Sequence, residues 1–88
     1  MPYFVYILLS QKDNKLYVGC THNTQQRLLE HNSGKVSATK SRRPLVMIYT
    51  EEFQNKGDAF NRERFLKTLW SARLKKKILE KYKQSKAE

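Results

Sequence analysis

Residues Phe4 to Leu9 form an unbroken apolar run, Phe-Val-Tyr-Ile-Leu-Leu, rich in β-branched and aromatic side chains. A run of this length and composition is a strand, and one apolar at every position is a central strand buried on both faces. Lys15 to Cys20 reads as its partner, and the polar Gln11-Lys12-Asp13-Asn14 between them is turn material, so the two segments predict an antiparallel hairpin. The register decides where Tyr6 and Tyr17 point. A four-residue loop pairs Tyr6 with Gly19 and Leu8 with Tyr17, and a two-residue loop pairs the tyrosines directly. Both put the phenols on one face, because strand side chains alternate with period two; a three-residue bulged loop splits them.

Asn23 is an N-cap candidate with Gln26 three residues on, opening a helix to about His31 that Asn32-Ser33-Gly34 stops. Lys35 to Arg43 is a basic loop without an acid, Pro44 ends it, and Leu45 to Thr50 gives a third strand. A second helix is expected from Gly57 or Asp58 to about Trp70. Ser71 then caps a third, ending near Tyr82, with Leu74, Ile78 and Tyr82 as its apolar stripe. The fold class is α+β, a three-stranded antiparallel sheet flanked by helices in the order β-β-α-β-α-α. At 88 residues the expectation is one domain over residues 1–83 with a disordered tail at 84–88 and a thin core.

Eighteen Lys and Arg against eight Asp and Glu leave a net charge of +10, a density typical of polyanion binders, with nucleic acid the foremost polyanion. The other readings of that charge are a basic surface kept for solubility, or one that meets an acidic protein or a membrane. One cysteine, Cys20, excludes an intramolecular disulfide and a Cys-based zinc site, and favours a reducing cytoplasm. Nothing approaches the roughly 20 apolar residues of a membrane span, so no membrane is expected. Cys20 and His22, two apart, are the spacing of a thiol and its base on one strand face, but Cys20 is expected to pack as a small hydrophobe.

Advancing about 100° per residue from Ala59, Leu66 and Trp70 fall within about 20° and Glu63 at about 40°, so a carboxylate sits in the apolar stripe of the second helix. It is either held in an ion pair, turned out at the sheet edge, or kept for a cation. Mg²⁺ needs only one or two protein carboxylates, so a single Glu is enough. Arg27 and His31 are i and i+4 and share a helix face. Gly19 either marks a bulge or strand end or, lacking a side chain, lets a phosphate approach the backbone.

Together these residues resemble the GIY-YIG nuclease superfamily over Tyr3 to about Tyr82. Phe4-Val5-Tyr6 stands for the GIY triplet and Tyr17-Val18-Gly19 for YIG. They are followed by Arg27 in Gln26-Arg27-Leu28, by His31-Asn32-Ser33-Gly34, and by Glu63 in the later helix. Arg42-Arg43-Pro44-Leu45 through Tyr49, with Ala59 to Lys67, is most similar to the small stand-alone bacterial members. The nuclease domain of Slx-type structure-specific endonucleases is a nearer relative than the homing endonucleases. Two departures stand out: Phe4 replaces the first glycine, and Cys20 follows the YIG glycine where excision-repair members often carry lysine.

The resemblance implies metal-dependent hydrolysis of DNA phosphodiesters, structure-directed on branched or nicked DNA, leaving a 5′-phosphate and a 3′-hydroxyl. The implied site is Tyr6, Tyr17, Arg27, His31 and Glu63, converging on one concave surface. Glu63 holds one Mg²⁺ or Mn²⁺, Arg27 neutralises the five-coordinate phosphate, Tyr6 takes the proton of the attacking water, Tyr17 orients it and His31 relays the proton. Lys35, Lys40, Arg42, Arg43, Lys75, Lys76 and Lys77 are the expected DNA contacts, positioning a duplex without reading sequence. The rival readings are a non-catalytic nucleic-acid-binding module of the same fold and a protein-interaction subunit with a basic face. The expected place of work is the cytoplasm, at the nucleoid when DNA is bound.

Overall fold

The computed structural model describes residues 1–87. Strand β1 (Tyr3–Ser10) is the middle of a three-stranded antiparallel sheet in the order β2-β1-β3, with β2 (Leu16–Thr21) and β3 (Leu45–Phe53) at its edges. The helices are α1 (Thr24–Asn32), α2 (Lys56–Leu66) and α3 (Ala72–Ala87), with 3₁₀ turns at Lys40–Arg42 and Leu69–Ser71. The expected element order is the observed one.

Pairing on both sides buries every residue of β1 from Val5 to Ser10. The alternation of β1 divides the core. Val5 and Ile7 pack with Val18 and with Ala59 and Leu66 of α2, backed by Leu74 and Ile78 of α3. Tyr6 and Leu8 pack on the other face with Leu45, Tyr17, Met47 and Leu28 of α1. The sheet therefore has α1 on one face and α2 with α3 on the other. A bulge between Ile7 and Leu8, which face Tyr49 and Met47, leaves Ile48 as the extra residue of β3. Met47 consequently serves the α1 face, whereas Ile48 and Tyr49 both serve the other.

The hairpin closes as the four-residue loop: Ser10 N–H donates to the Lys15 carbonyl at 2.9 Å, and Asn14 takes a positive φ of 61°. Asn23 caps α1 by accepting from Gln26 N–H, and Gly34 leaves the helix with φ +84°.

The second helix differs from expectation at both ends. Asn55 caps it, accepting from Gly57 N–H at 2.7 Å and Asp58 N–H at 3.3 Å, and it stops at Leu66 instead of Trp70. Ser71, expected to cap α3, is buried and turned backward: its hydroxyl donates to the carbonyls of Leu66 at 2.9 Å and Thr68 at 2.8 Å, satisfying the exposed end of α2. Helix α3 runs past Tyr82 to Ala87, so residues 84–87 of the expected tail are helical; residue 88 lies outside the described residues.

Candidate active site

Register places Tyr6 opposite Gly19 and Leu8 opposite Tyr17, so both phenols project to the α1 face. The Tyr6 ring lies directly over Gly19, where an added Cβ would collide with its Cζ and hydroxyl oxygen. The room left by the missing side chain, expected to admit a phosphate, is filled by Tyr6.

His31, in the last turn of α1, is fully buried beneath these rings. Its Nε2 lies 2.9 Å from the Tyr6 hydroxyl and its Nδ1 2.8 Å from Thr39 Oγ1, with the Tyr17 ring edge-on at 5.1 Å between centroids. Both ring nitrogens are thus satisfied inside the protein. Burial lowers the His31 pKa, the Arg27 charge adds to the effect, and the imidazole is neutral at neutral pH. Thr39 was absent from the expected site. It lies in the basic loop, where neither periodicity nor spacing singles it out.

Arg27, one turn before His31, has its guanidinium beside the Tyr6 phenol and 2.9 Å from Glu30 Oε1. Burial raises the Tyr6 pKa, and the Arg27 hydrogen bond and charge, which lower it, do not reverse the shift. Tyr6 is accordingly a neutral phenol, only 1 % exposed. Tyr17 is half-buried and reaches the surface.

Glu63 departs from the expected convergence. Helix α2 packs on the sheet face opposite the phenols, because Ala59 and Leu66 meet Val5, Ile7 and Val18 there. Helical phase fixes which side of α2 Glu63 occupies, but not which face of the sheet α2 covers. The carboxylate is 20 % exposed and bonds Lys67 Nζ at 3.0 Å, the ion-pair alternative, with a half-exposed partner. Its charge nevertheless helps raise the Tyr6 and Cys20 pKa values, after the larger effect of burial, which puts it near the β2 edge. An open cleft crosses that edge, lined by His22, Gln26, Arg27 and Glu30 on one side and Lys56 and Phe60 on the other. A second opening, lined by Phe60, Glu63 and Arg64, shares the Phe60 wall. Arg27 and Glu63 thus line two separate openings, in opposite layers, that meet at the Phe60 ring.

No group of three or more His, Cys, Asp or Glu able to hold a metal occurs among the described residues. What Glu63 offers is one carboxylate paired with a half-exposed lysine, and one carboxylate is enough for a hard divalent ion whose other ligands are water and phosphate oxygens. Cys20 packs against the core as expected, and His22 meets the Tyr3 ring edge-on.

The expected DNA contacts divide. Arg42 is half-buried and engaged within the chain: its Nε pairs with Asp13 at 3.2 Å, its Nη2 donates to the Leu16 carbonyl, and its own carbonyl accepts from Ser10 Oγ. Arg43 Nε is held by the Lys40 carbonyl at 2.9 Å. Lys35 and Lys40 are exposed. Lys75, Lys76 and Lys77 sit on α3, which packs beside β3, away from the β2 edge that carries Arg27.

The GIY-YIG catalytic domain family matches residues 2–84. A UPF0213 protein of Staphylococcus haemolyticus is 44% identical over 79 residues, covering 89% of this chain and 94% of the relative. One of Natronomonas pharaonis is 34% identical over 79 residues, covering 89% and 92%. The solution NMR structure of a UPF0213 protein from Bacillus halodurans is 34% identical, covers 91% of this chain and 84% of its own, and superposes with a TM-score of 0.55. The GIY-YIG domain is a nuclease-type fold whose members generally depend on a divalent metal, and DNA is the substrate it suggests. With the hairpin tyrosines, the Arg27–His31 helix face and Glu63 in their expected elements, the chain belongs to the GIY-YIG family, within its UPF0213 group.

Proposed function

We propose that the chain is a divalent-metal-dependent endonuclease that hydrolyses DNA phosphodiester bonds at branched or nicked structures. The observation that carries this reading is the β2-edge cleft lined by Arg27, whose guanidinium sits beside the Tyr6 end of the buried Tyr6–His31–Thr39 chain, with the opening lined by Glu63 sharing its Phe60 wall. Glu63 holds one Mg²⁺ or Mn²⁺, which when bound supplies Lewis-acid polarisation of the phosphate. Arg27, kept charged by Glu30, neutralises the phosphate as charge builds on it. Tyr17, the phenol that reaches the surface, orients the attacking water. The water proton is taken up through Tyr6, which accepts it while passing its own to neutral Nε2 of His31; Thr39 holds the ring for this by accepting from Nδ1–H. Lys35 and Lys40 supply phosphate contacts, and the work is done in the cytoplasm, at the nucleoid.

One observation favours a second reading, a nucleic-acid-binding module without cleavage: Glu63 is paired with Lys67 and lies across the sheet from the phenols. Incubation of the protein with nicked, branched and single-stranded DNA, with Mg²⁺, with Mn²⁺ and with neither, separates the two. Metal-dependent products bearing 5′-phosphates are expected; binding without cleavage under every condition would overturn the nuclease reading.

A further inference from the structure

Trp70, the one tryptophan of the chain, is 89% exposed, and its neighbour Leu69 is 93% exposed. A chain folding for stability alone buries its largest apolar side chain. Here Ser71 takes the inward position, 1% exposed, with its hydroxyl on the Leu66 and Thr68 carbonyls, while the Leu69 carbonyl accepts from Ala72 N–H. The turn is fixed at both ends, and the pair it presents is held outward by defined bonds.

Basic residues surround this pair in the chain. Lys67 precedes it, and Arg73, Lys76 and Lys77 follow on the first turns of α3, where with Ala72 and Glu80 they line a shallow groove. Three cations against one acid fit a polyanion. A second copy of the chain, itself at +10, is repelled. A flat exposed indole two residues before a basic groove suits a nucleobase whose phosphates lie on those cations, and a base offers its π-face only when it is out of the stack. From Glu63 to the end of α2 is about 5 Å along the helix at 1.5 Å per residue. A strand held at Glu63 therefore reaches the turn within a few nucleotides, each of which advances about 3.4 Å along the axis of a duplex.

We propose that Leu69 and Trp70 form a stacking platform for an unpaired nucleotide, so that the substrate is DNA with a single-stranded arm or splayed bases beside the scissile phosphate. The inference rests on the nucleic-acid part of the reading above.

Trp70 reports on its own site. The full chain is titrated, without divalent metal, with a DNA carrying a single-stranded arm and with a blunt duplex of equal length; tryptophan emission is followed beside the anisotropy of the labelled DNA. Quenching by the armed DNA is expected, well beyond that by the duplex. Trp70→Ala weakens the armed DNA about 10-fold or more, the scale of one missing base stack, leaves the duplex little changed, and Trp70→Phe restores most of the loss. DNA that binds by anisotropy while emission stays constant, or equal weakening of both DNAs by Trp70→Ala, overturns the platform and leaves the nucleic-acid reading standing. Failure to bind any DNA at low salt overturns both. An emission shift that follows protein concentration alone, with dimers in sedimentation, overturns the platform in favour of self-association.

Discussion

Gly19 and Tyr6 face each other across the β1–β2 hairpin, and the phenol occupies the space a side chain at residue 19 would need. The glycine of the second triplet is thus the seat of the tyrosine of the first, and that contact aims the Tyr6 hydroxyl at His31 Nε2. Gly19→Ala is expected to cost about 1–3 kcal/mol, the range for overpacking a tight site, read from urea unfolding. The cost should shrink in a Tyr6→Ala background, because the two residues share one volume. Equal destabilisation in both backgrounds would mean that the ring yields elsewhere.

His31 makes stability depend on pH in a definite direction. Its folded pKa is depressed from 6.5 by burial and then by Arg27, so below about 6.5 the unfolded chain takes up a proton that the folded protein refuses. The stability from this group is complete above 6.5, falls as pH drops below it, and levels once pH passes the folded pKa. Urea midpoints of wild type and His31→Gln between pH 7.5 and 4.5 check this: the variant, less stable at the start, should lose that limb of the profile.

Arg27→Ala is expected to slow cleavage on the order of 100-fold or more, comparable with the loss of one oxyanion donor, while weakening DNA binding little. Binding should follow the exposed cations instead. Charge reversal at Lys35, Lys40 or Lys75 to Lys77 should flatten the slope of log affinity against log salt by about 0.9 for every phosphate that the side chain had neutralised. An unchanged slope after reversal of Lys75 to Lys77 would remove α3 from the DNA surface. Arg42→Ala should act differently, loosening the hairpin loop through Asp13 and Leu16.

Glu63→Gln is expected to abolish cleavage with little change in stability. Its partner Lys67 is about half exposed, so removal strands no buried cation, and a pair of this kind is worth on the order of 0–1 kcal/mol. Thermal melts with and without Mg²⁺ measure it. A loss near the roughly 3–5 kcal/mol of a broken buried pair would show that Glu63 is held for structure.

Local chemistry alone determined that β1 and β2 form a hairpin, and it set the first helix from the Asn23 cap to the Gly34 stop; the choice of the four-residue loop, which puts both phenols on one face, came from the structure. Period-two alternation, side-chain capping and positive-φ glycine act within a few residues, so they can be read without the rest of the fold. The tertiary structure decided what depends on distant partners. His31 is buried because Tyr6 and Thr39, 25 and 8 residues away, close on its two nitrogens. Arg42 turns onto the hairpin loop because Asp13, 29 residues away, pairs with its guanidinium. Helical phase carried the α2 stripe on to Trp70, but the Ser71 hydroxyl ended the helix at Leu66 and turned the indole to solvent. The same phase put Glu63 beside the apolar stripe, whereas only the packing of Ala59 and Leu66 on Val5 and Ile7 chose the face of the sheet that its helix covers. Periodicity specifies an angle about one helix axis; which face of the sheet that helix covers is set by side-chain packing between elements far apart in the chain.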